Sequence, residues 1–390
     1  MKYEFVIIGA SKAGLSAAET LRERNPDARI LLINGEDRYP YKRTHLTKKM
    51  AAGFGKEDFA LQKPGWYAEQ GIDLLNGITV SSVFPDSREL VCSDGSRYGW
   101  GKLLLATGAV PFHPDIPGWE HVHHLRTAED TERIRNLLES CKRVTVLGLG
   151  VEAVEIAEQC CRMGLDVVLA GRDSRIMERW LDETLSAKLL GLLKQEGIDC
   201  RLSQNISKLS RQGSVYTVFS DGELMETDLI LASTGIRGNP SLALPLGIYG
   251  DRGILCNLRL ETGLPDIYAA GDAVESLPGW PRGLWHWAEY QGRTAALNMS
   301  GESESLENRA TRLKCEPFGK FYFSMALQDL REDDKGTVYS DSEEVYLKIF
   351  ERQGRSVAAL MEGLSKDQSK ILEKGILLGE PSEEIAHRIL

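Results

Sequence analysis

The 390-residue sequence has no CxxC pair and no cysteine spacing of the zinc or iron–sulfur kind. Its seven cysteines, Cys92, Cys141, Cys160, Cys161, Cys200, Cys256 and Cys315, are scattered. That argues against a metal centre and against a disulfide framework, and it fits buried thiols in a reducing cytoplasm. Long hydrophobic runs are also missing. The apolar stretches fall far short of the roughly 20 residues that span a bilayer, so no membrane partner is expected. Positive charge is short: 47 Lys and Arg stand against 57 Asp and Glu, a net −10, and the cations are scattered rather than clustered. Nucleic acid and anionic membranes are therefore disfavoured as partners, while a basic small protein stays open. No export leader is expected, because Tyr3 to Gly9 already reads as the buried start of a domain.

What is present is an ordinary globular composition, 42% hydrophobic and 27% charged, which sets the chain apart from disordered and fibrous classes. Two or three domains, each with its own core, are expected at this length. Residues 3–34 read as strand, glycine turn, helix and strand: FVIIGA, SKAGLSAAETLRER and ARILLIN. Residues 143–170 repeat the pattern as RVTVLGLG, VEAVEIAEQCCRMG and LDVVLA. Each predicts a βαβ unit with parallel strands and a right-handed crossover. Further strands end in KLLLATGAVP (102–111), LILASTGIRGNP (229–240) and DIYAAGD (266–272). After about residue 310 the texture changes. EVYLKIFE and SVAALMEG read as strands paired about a Gln353-Gly354 turn, and SKDQSKILEKGILLG as a helix. The stretch ESLPGWPRGLW (275–285) reads equally as a cover over a ligand and as a packed surface loop.

Gly9-Ala10-Ser11-Lys12-Ala13-Gly14 is a GxSxxG turn, with Ser11 where a middle glycine usually stands. Gly9 permits a tight turn, Gly14 permits close helix–strand packing, and the free N–H groups of the helix start point at a pyrophosphate. The same residues also suit a strand–helix turn without a ligand. Asn34 ends the next strand and Glu36 follows, 22 positions after Gly14. That is about the distance at which a carboxylate holds ribose hydroxyls. RYPYKRTHLTKK (38–49) reads by itself as a solvated charged loop. The second turn, Gly148-Leu149-Gly150-Val151-Glu152-Ala153, is GxGxxA, a fuller form of the same device.

Beside these turns the phrases PYKRTHLTK, LLLATGAVP, GLGVEAVE, GNPSLA, DIYAAGD and QGRTAALNM occur in order. Through them the chain resembles the FAD-dependent pyridine nucleotide(-disulfide) oxidoreductases with two dinucleotide-binding domains. Within these it is most similar to the rubredoxin reductase and nitrite-reductase-like NAD(P)H oxidoreductase group. The resemblance runs from about residue 3 to 300, and more loosely to the end. It implies an α/β chain with two Rossmann-like domains in the glutathione-reductase-like arrangement. The FAD-binding domain would be discontinuous, 1–115 and 245–310, with an NAD(P)H-binding domain over 116–244. A small C-terminal α+β domain would occupy 311–390. One glycine turn would hold FAD and the other an NAD(P)H that comes and goes, so that hydride passes from nicotinamide to flavin.

The resemblance also assigns residues. Cofactor contacts are implied at Gly9, Ser11, Ala13, Gly14, Asn34 and Glu36, then at Arg43, Lys48, Ala106, Thr107 and Gly108. Further contacts are implied at Gly148, Gly150, Val151, Glu155 and Gly235, and at Gly271, Asp272 and Trp287; Arg172 joins them through a departure from the family. Asp272 would accept from the ribityl hydroxyls of FAD; by residue type alone it suits a helix N-cap as well. In the helix after it, Ala288, Gln291, Gly292, Ala295, Ala296 and Met299 form one stripe. Such a stripe suits tight packing on a sheet, and in the family the start of this helix faces the flavin. Arg43 and Lys48 match the family's R…LSK phrase, with Thr47 in place of serine. Lys48 and Glu155 are the expected catalytic pair, balancing charge beside the flavin; a surface i,i+3 partner is the plainer reading of Glu155.

Two departures stand out. Ala170-Gly171-Arg172 occurs where an NADH enzyme carries Asp or Glu, so the carboxylate that repels a 2′-phosphate is missing. Arg172 or Arg175 could then pair with that phosphate, which predicts a lean to NADPH. Trp100-Gly101 replaces the family's usual Tyr-Asp.

The segment that carries reactive cysteine in the disulfide and peroxide enzymes of the superfamily is YKRTHLTKKM here, without any cysteine. The resemblance therefore implies an FAD-dependent NAD(P)H:acceptor oxidoreductase with no redox-active disulfide. It would pass electrons singly to a small carrier such as rubredoxin or ferredoxin. An NAD(P)H oxidase, or a flavin-containing NAD(P)H sensor or assembly subunit with little turnover, are the alternatives.

Overall fold

The computed structural model describes residues 1–213, 215–220, 223–275, 283–307, 309–327 and 330–390. The chain forms two compact units, one from 1–46, 54–112 and 235–307, the other from 47–53, 113–234 and 308–390.

The first unit is built on a seven-stranded sheet. Strand β1 (Lys2–Ile8) lies parallel to β2 (Ile30–Asn34), which lies parallel to β3 (Ile72–Asn76). All five residues of β2 are buried, as expected of a parallel strand covered on both faces. Helix α1 (Lys12–Arg24) joins β1 to β2 and buries the small residues Ala13, Gly14, Ser16, Ala17 and Ala18. Short helices α2 (His45–Lys48) and α3 (Trp66–Glu69) follow β2.

The hairpin β4 (Val80–Phe84) and β5 (Glu89–Cys92) leads into β6 (Arg97–Leu105). One edge of β6 pairs parallel with β1 along its length. The other edge is divided: Arg97 to Gly99 meet β5 antiparallel, and Leu103 to Leu105 meet β16 (Ile267–Ala269) in parallel. Strand β7 (Ala109–Pro111) pairs antiparallel with β15 (Ile236–Gly238). Helix α7 (Trp285–Met299) packs along α1.

The second unit holds a parallel sheet in the order β10-β9-β8-β14. These are β8 (Arg143–Leu147), β9 (Asp166–Ala170), β10 (Asp199–Arg201) and β14 (Leu229–Ala232). Helix α4 (Ala128–Leu138) precedes β8, α5 (Val151–Arg162) joins β8 to β9, and α6 (Glu183–Gln195) precedes β10. A three-stranded antiparallel sheet, β11 (Ile206–Gln212), β12 (Val215–Ser220) and β13 (Glu223–Thr227), lies between β10 and β14 in sequence.

The rest of this unit is a five-stranded antiparallel sheet in the order β17-β18-β21-β20-β19. Its strands are β17 (Thr311–Cys315), β18 (Tyr322–Ala326), β19 (Lys335–Asp341), β20 (Tyr346–Arg352) and β21 (Arg355–Glu362). The β20–β21 turn has Gln353 at φ 52° and Gly354 at φ 74°, the left-handed pair that a twisted two-residue hairpin requires. Helices α8 (Lys366–Leu378) and α9 (Ser382–Ile389) share a core with this sheet through Leu372, Ile376, Ile385 and Ile389. Among the described residues no helix is long and apolar enough to cross a membrane.

Candidate functional site

In the first unit, the β1–α1 turn admits nothing larger than glycine at two places. A Cβ on Gly9, whose φ is +104°, would lie 2.1 Å from the Ala106 carbonyl oxygen, and one on Gly14 would lie 1.8 Å from that of Gly9. Ser11 sits at the N-cap of α1, but its side chain makes no capping bond and the first turn holds no acid. Helix α7 reaches the same place: a Cβ on Gly292 would meet Ala13 O at 2.1 Å, and one on Gly271 would meet Ala13 Cβ at 2.9 Å. The Gly271 N–H donates to Gln291 Oε1 at 2.7 Å.

Asp272 lies in the 3-10 turn Gly271–Ala273, and Leu284, not Asp272, is the N-cap of α7. Its Oδ1 accepts from the Gly283 N–H at 3.2 Å. The stretch 276–282, within the expected covering loop, falls outside the described residues. Trp287 is buried at the start of α7 and meets Tyr290 edge-on.

Glu36 accepts from Tyr41 OH at 2.8 Å on one oxygen and from Arg43 on the other. Burial opposes the charge of Arg43, but Tyr41, Glu36 and then Asp272 raise its pKa above the usual guanidinium value. A carboxylate oxygen accepts more than one donor, so Glu36 can still take a ribose hydroxyl. Asn34 shapes the turn instead, its Nδ2 reaching Arg38 O at 2.7 Å and Asn76 Oδ1 at 2.9 Å. The Ala106 N–H donates to Ile8 O at 2.8 Å, carrying Thr107 and Gly108 past the end of the sheet. Gly108 and Gly235 have φ of +68° and +106°, and among the described residues nothing lies within 4 Å of the place a Cβ would take.

In the second unit the turn after β8 has the same construction. A Cβ on Gly148 (φ +123°) would lie 2.3 Å from Ser233 O. Gly150 is the N-cap of α5, offers no side chain, and has open space beside it, so Val151 begins an uncapped helix. Other helices of the chain divide on this point: α3 and α9 also lack a side-chain cap, but three are capped. Thr127 caps α4, Asp182 caps α6 and Ser365 caps α8, each by a side-chain bond. Helices α1, α5 and α7, which the resemblance assigns to cofactors, have no such cap. Free N–H groups at a helix start favour an anion there. The two glycine turns with their uncapped helices therefore fit a dinucleotide pyrophosphate each.

Helix α5 turns one acidic face inward. Glu155 takes Lys48 Nζ at 3.5 Å on Oε1 and the Thr47 hydroxyl on Oε2. Its partners are thus remote in sequence and not one helical turn away. One turn earlier, Glu152 accepts from Ser233 Oγ at 2.8 Å, and one turn later Gln159 Oε1 accepts from the Ala51 N–H at 3.2 Å. Burial pushes both glutamates above the ordinary carboxyl value; Lys48 and then Thr47 pull Glu155 back, and Arg126 and Ser233 pull Glu152 back. A buried acid of raised pKa beside a lysine is suited to holding or handing on a proton. Arg172, past the end of β9, stands apart: its side chain is 87% exposed, with Nε 3.8 Å from Asp173 Oδ1.

Glu152, Thr47 and Tyr41 were not among the residues the sequence singled out for the site. The i,i+3 spacing of Glu152 and Glu155 was a usable signal, since it puts both on one helix face. Nothing local signalled that Thr47 would bond to a residue 108 positions away. All seven cysteines are free thiols, and burial raises every one of their pKa values for which a shift is resolved, Cys160, Cys256 and Cys315 to about 12.

Comparison with known proteins agrees with this geometry. Residues 3–292 match the family described as pyridine nucleotide-disulphide oxidoreductase. The chain is 33% identical over 307 residues to the 3-phenylpropionate/cinnamic acid dioxygenase ferredoxin–NAD(+) reductase component of Photorhabdus laumondii, covering 76% of this chain and 77% of that one. It is 27% identical over 380 residues to the assimilatory nitrate reductase electron transfer subunit of Bacillus subtilis, covering 95% of this chain and 49% of that protein, and so spans about half of its length. The fold is that of the ferredoxin reductase for the CYP199A2 system from Rhodopseudomonas palustris, with TM-score 0.87, 23% identity, and 98% and 96% of the two chains covered.

Proposed function

The chain belongs to the pyridine nucleotide-disulphide oxidoreductase family and is an FAD- and NAD(P)H-dependent oxidoreductase; we propose that its acceptor is a small electron-carrier protein of the rubredoxin or ferredoxin kind. The observation that carries this reading is the Lys48–Glu155–Thr47 cluster, whose bonds involve no thiol; Cys315, which feels its charges, is pushed up to about 12 by burial and then by Glu155. Disulfide chemistry needs a thiolate, and every cysteine pKa with a resolved shift is raised. A relative named as a ferredoxin–NAD(+) reductase component supports the choice of carrier.

In this reading the β1–α1 turn, Glu36, Arg43, Gly108 and Asp272 hold FAD, with Ala13, Gly271 and Gly292 allowing the approach of backbone. FAD supplies the exchange between a two-electron hydride donor and one-electron acceptors. Gly148, Gly150 and the start of α5 hold the pyrophosphate of NAD(P)H. Glu155 orients the reacting end of the nucleotide and keeps a proton close at hand, while Lys48 and Thr47 fix its two oxygens. We assign 1–115 and 245–310 to the FAD domain, 116–244 to the nucleotide domain and 311–390 to the C-terminal domain, which supplies neither glycine turn. Seven free thiols support a reducing cytoplasm as its compartment.

The test is anaerobic mixing with NADPH or NADH. Loss of the yellow flavin absorbance, followed by reduction of added rubredoxin or ferredoxin, is the expected outcome. A relative named NADH oxidase, 33% identical over 69% of this chain, supports a second reading. Flavin that stays reduced with both carriers but reoxidises within the turnover time in oxygen would favour it.

A further inference from the structure

Leu149, the middle residue of the second glycine turn, is 2% exposed and packs on Gly171, just past the end of β9. A side chain at residue 171 would put its Cβ 2.8 Å from Leu149 Cγ and 3.3 Å from Cδ1. The branch carbon of a buried leucine cannot swing aside as a chain tip can, so either Leu149 would have to leave its buried rotamer or the turn would have to move. The backbone is held on both sides. The Gly171 N–H donates to Arg201 O at 3.2 Å, its carbonyl accepts from the Gln204 N–H at 2.8 Å, and Leu149 O accepts from the Met177 N–H at 2.8 Å.

Residue 171 lies 23 positions after Gly148, where a carboxylate accepts from both ribose hydroxyls of NADH and repels the extra phosphate of NADPH. Arg172 follows it with an exposed guanidinium, and Arg175 lies three residues further along the same bend.

We propose that Leu149 is a specificity-determining residue for the nucleotide: by filling the space beside residue 171 it confines that position to glycine, removes the carboxylate that selects NADH, and leaves Arg172 to receive the 2′-phosphate of NADPH. This rests on the oxidoreductase reading above. One charge-assisted contact from Arg172 corresponds to roughly ten- to a hundredfold in affinity.

Calorimetry reads the phosphate without turnover. The parent should bind adenosine 2′,5′-bisphosphate at least tenfold more tightly than 5′-AMP, and Arg172→Ala should bring the two near parity. Equal affinities in the parent overturn the proposal. The role of Leu149 is read from thermal melting of Gly171→Asp, Leu149→Ala and the double variant. Gly171→Asp should melt well below the parent. Adding Leu149→Ala should restore much of that loss and turn the preference to 5′-AMP and NADH. A double variant no more stable than the sum of the singles predicts overturns the coupling, as does Gly171→Asp alone switching to NADH with unchanged melting. Tight bisphosphate binding by a protein whose flavin neither nucleotide reduces would support this inference and refute the oxidoreductase reading.

Discussion

Glu155 and Lys48 are 107 positions apart in sequence, yet Lys48 Nζ lies 3.5 Å from one oxygen of the Glu155 carboxylate. The Thr47 hydroxyl takes the other oxygen, and Ala51 adds a bond to Gln159 one turn along α5. Residues 47–53 are thereby fastened to the second unit, although the chain before and after them builds the first.

Glu152 and Glu155 both have carboxyls raised in the folded state, chiefly by burial. Such groups contribute stability that is complete below the unfolded value, near 4.5, and is lost as pH rises through the folded value. The Glu152→Gln/Glu155→Gln variant has no such loss. Its unfolding free energy minus that of the parent should therefore increase as pH rises from 4.5 toward neutrality, in urea titrations at a series of pH values. A difference that stays flat with pH counts against raised carboxyls at this helix face.

The thiols should be inert. With Cys200 pushed up to about 11 and Cys160, Cys256 and Cys315 to about 12, the reactive thiolate is scarce at neutral pH. Iodoacetamide on the native protein should alkylate slowly, and NAD(P)H-dependent reduction of a one-electron dye should stay within a few-fold of the untreated rate. Rapid inactivation with one cysteine labelled, as mapped by mass spectrometry, would show a thiol in turnover.

Gly292→Val should break the α1–α7 crossing. Its Cβ would lie 2.1 Å from a backbone oxygen of α1, and backbone cannot yield as a side chain does. Overpacking of this kind costs about 1–3 kcal/mol, occasionally more. The parent should be yellow with bound FAD, and the variant should purify with little flavin and a lower melting temperature. A variant with full flavin content at parental melting temperature refutes the close crossing.

Asp182 caps α6 by accepting from the Leu185 N–H at 3.0 Å, and it also accepts from Tyr346 OH at 2.9 Å and Lys348 Nζ at 3.1 Å. Asp182→Ala removes a cap worth roughly 1 kcal/mol and leaves a buried tyrosine hydroxyl without its acceptor, about 1–3 kcal/mol more. Chemical denaturation should report a loss of about 2–4 kcal/mol, with Asp182→Asn losing less. Parental stability in both variants would mean that the Tyr346 contact carries no weight.

Much of the architecture was legible because parallel strands covered on both faces read as unbroken apolar runs. FVII, ILLI and VTVL occupy β1, β2 and β8, and each glycine turn follows its strand directly. The C-terminal hairpin was legible from Gln353-Gly354, whose turn needs left-handed backbone. The hydrogen-bond partners were less accessible. Asp272 could be matched to the family phrase, but whether it capped α7 depended on where that helix begins, which residue type does not reveal. The divided edge of β6 and the fit of Leu149 against Gly171 arise from tertiary packing, which leaves no periodic trace in the sequence.

That divided edge has a consequence for synthesis. Leu103 to Leu105 leave the ribosome well before their partners in β16, because some 160 residues, the whole of 113–234 among them, come between. At roughly 5–20 residues per second the wait is on the order of ten to thirty seconds. Through that interval a leucine-rich strand edge is unpaired, and the small-residue face of α1 lacks α7. The nascent chain therefore exposes a hydrophobic strand edge for that time, and it can close its first sheet only after most of the second unit has been made.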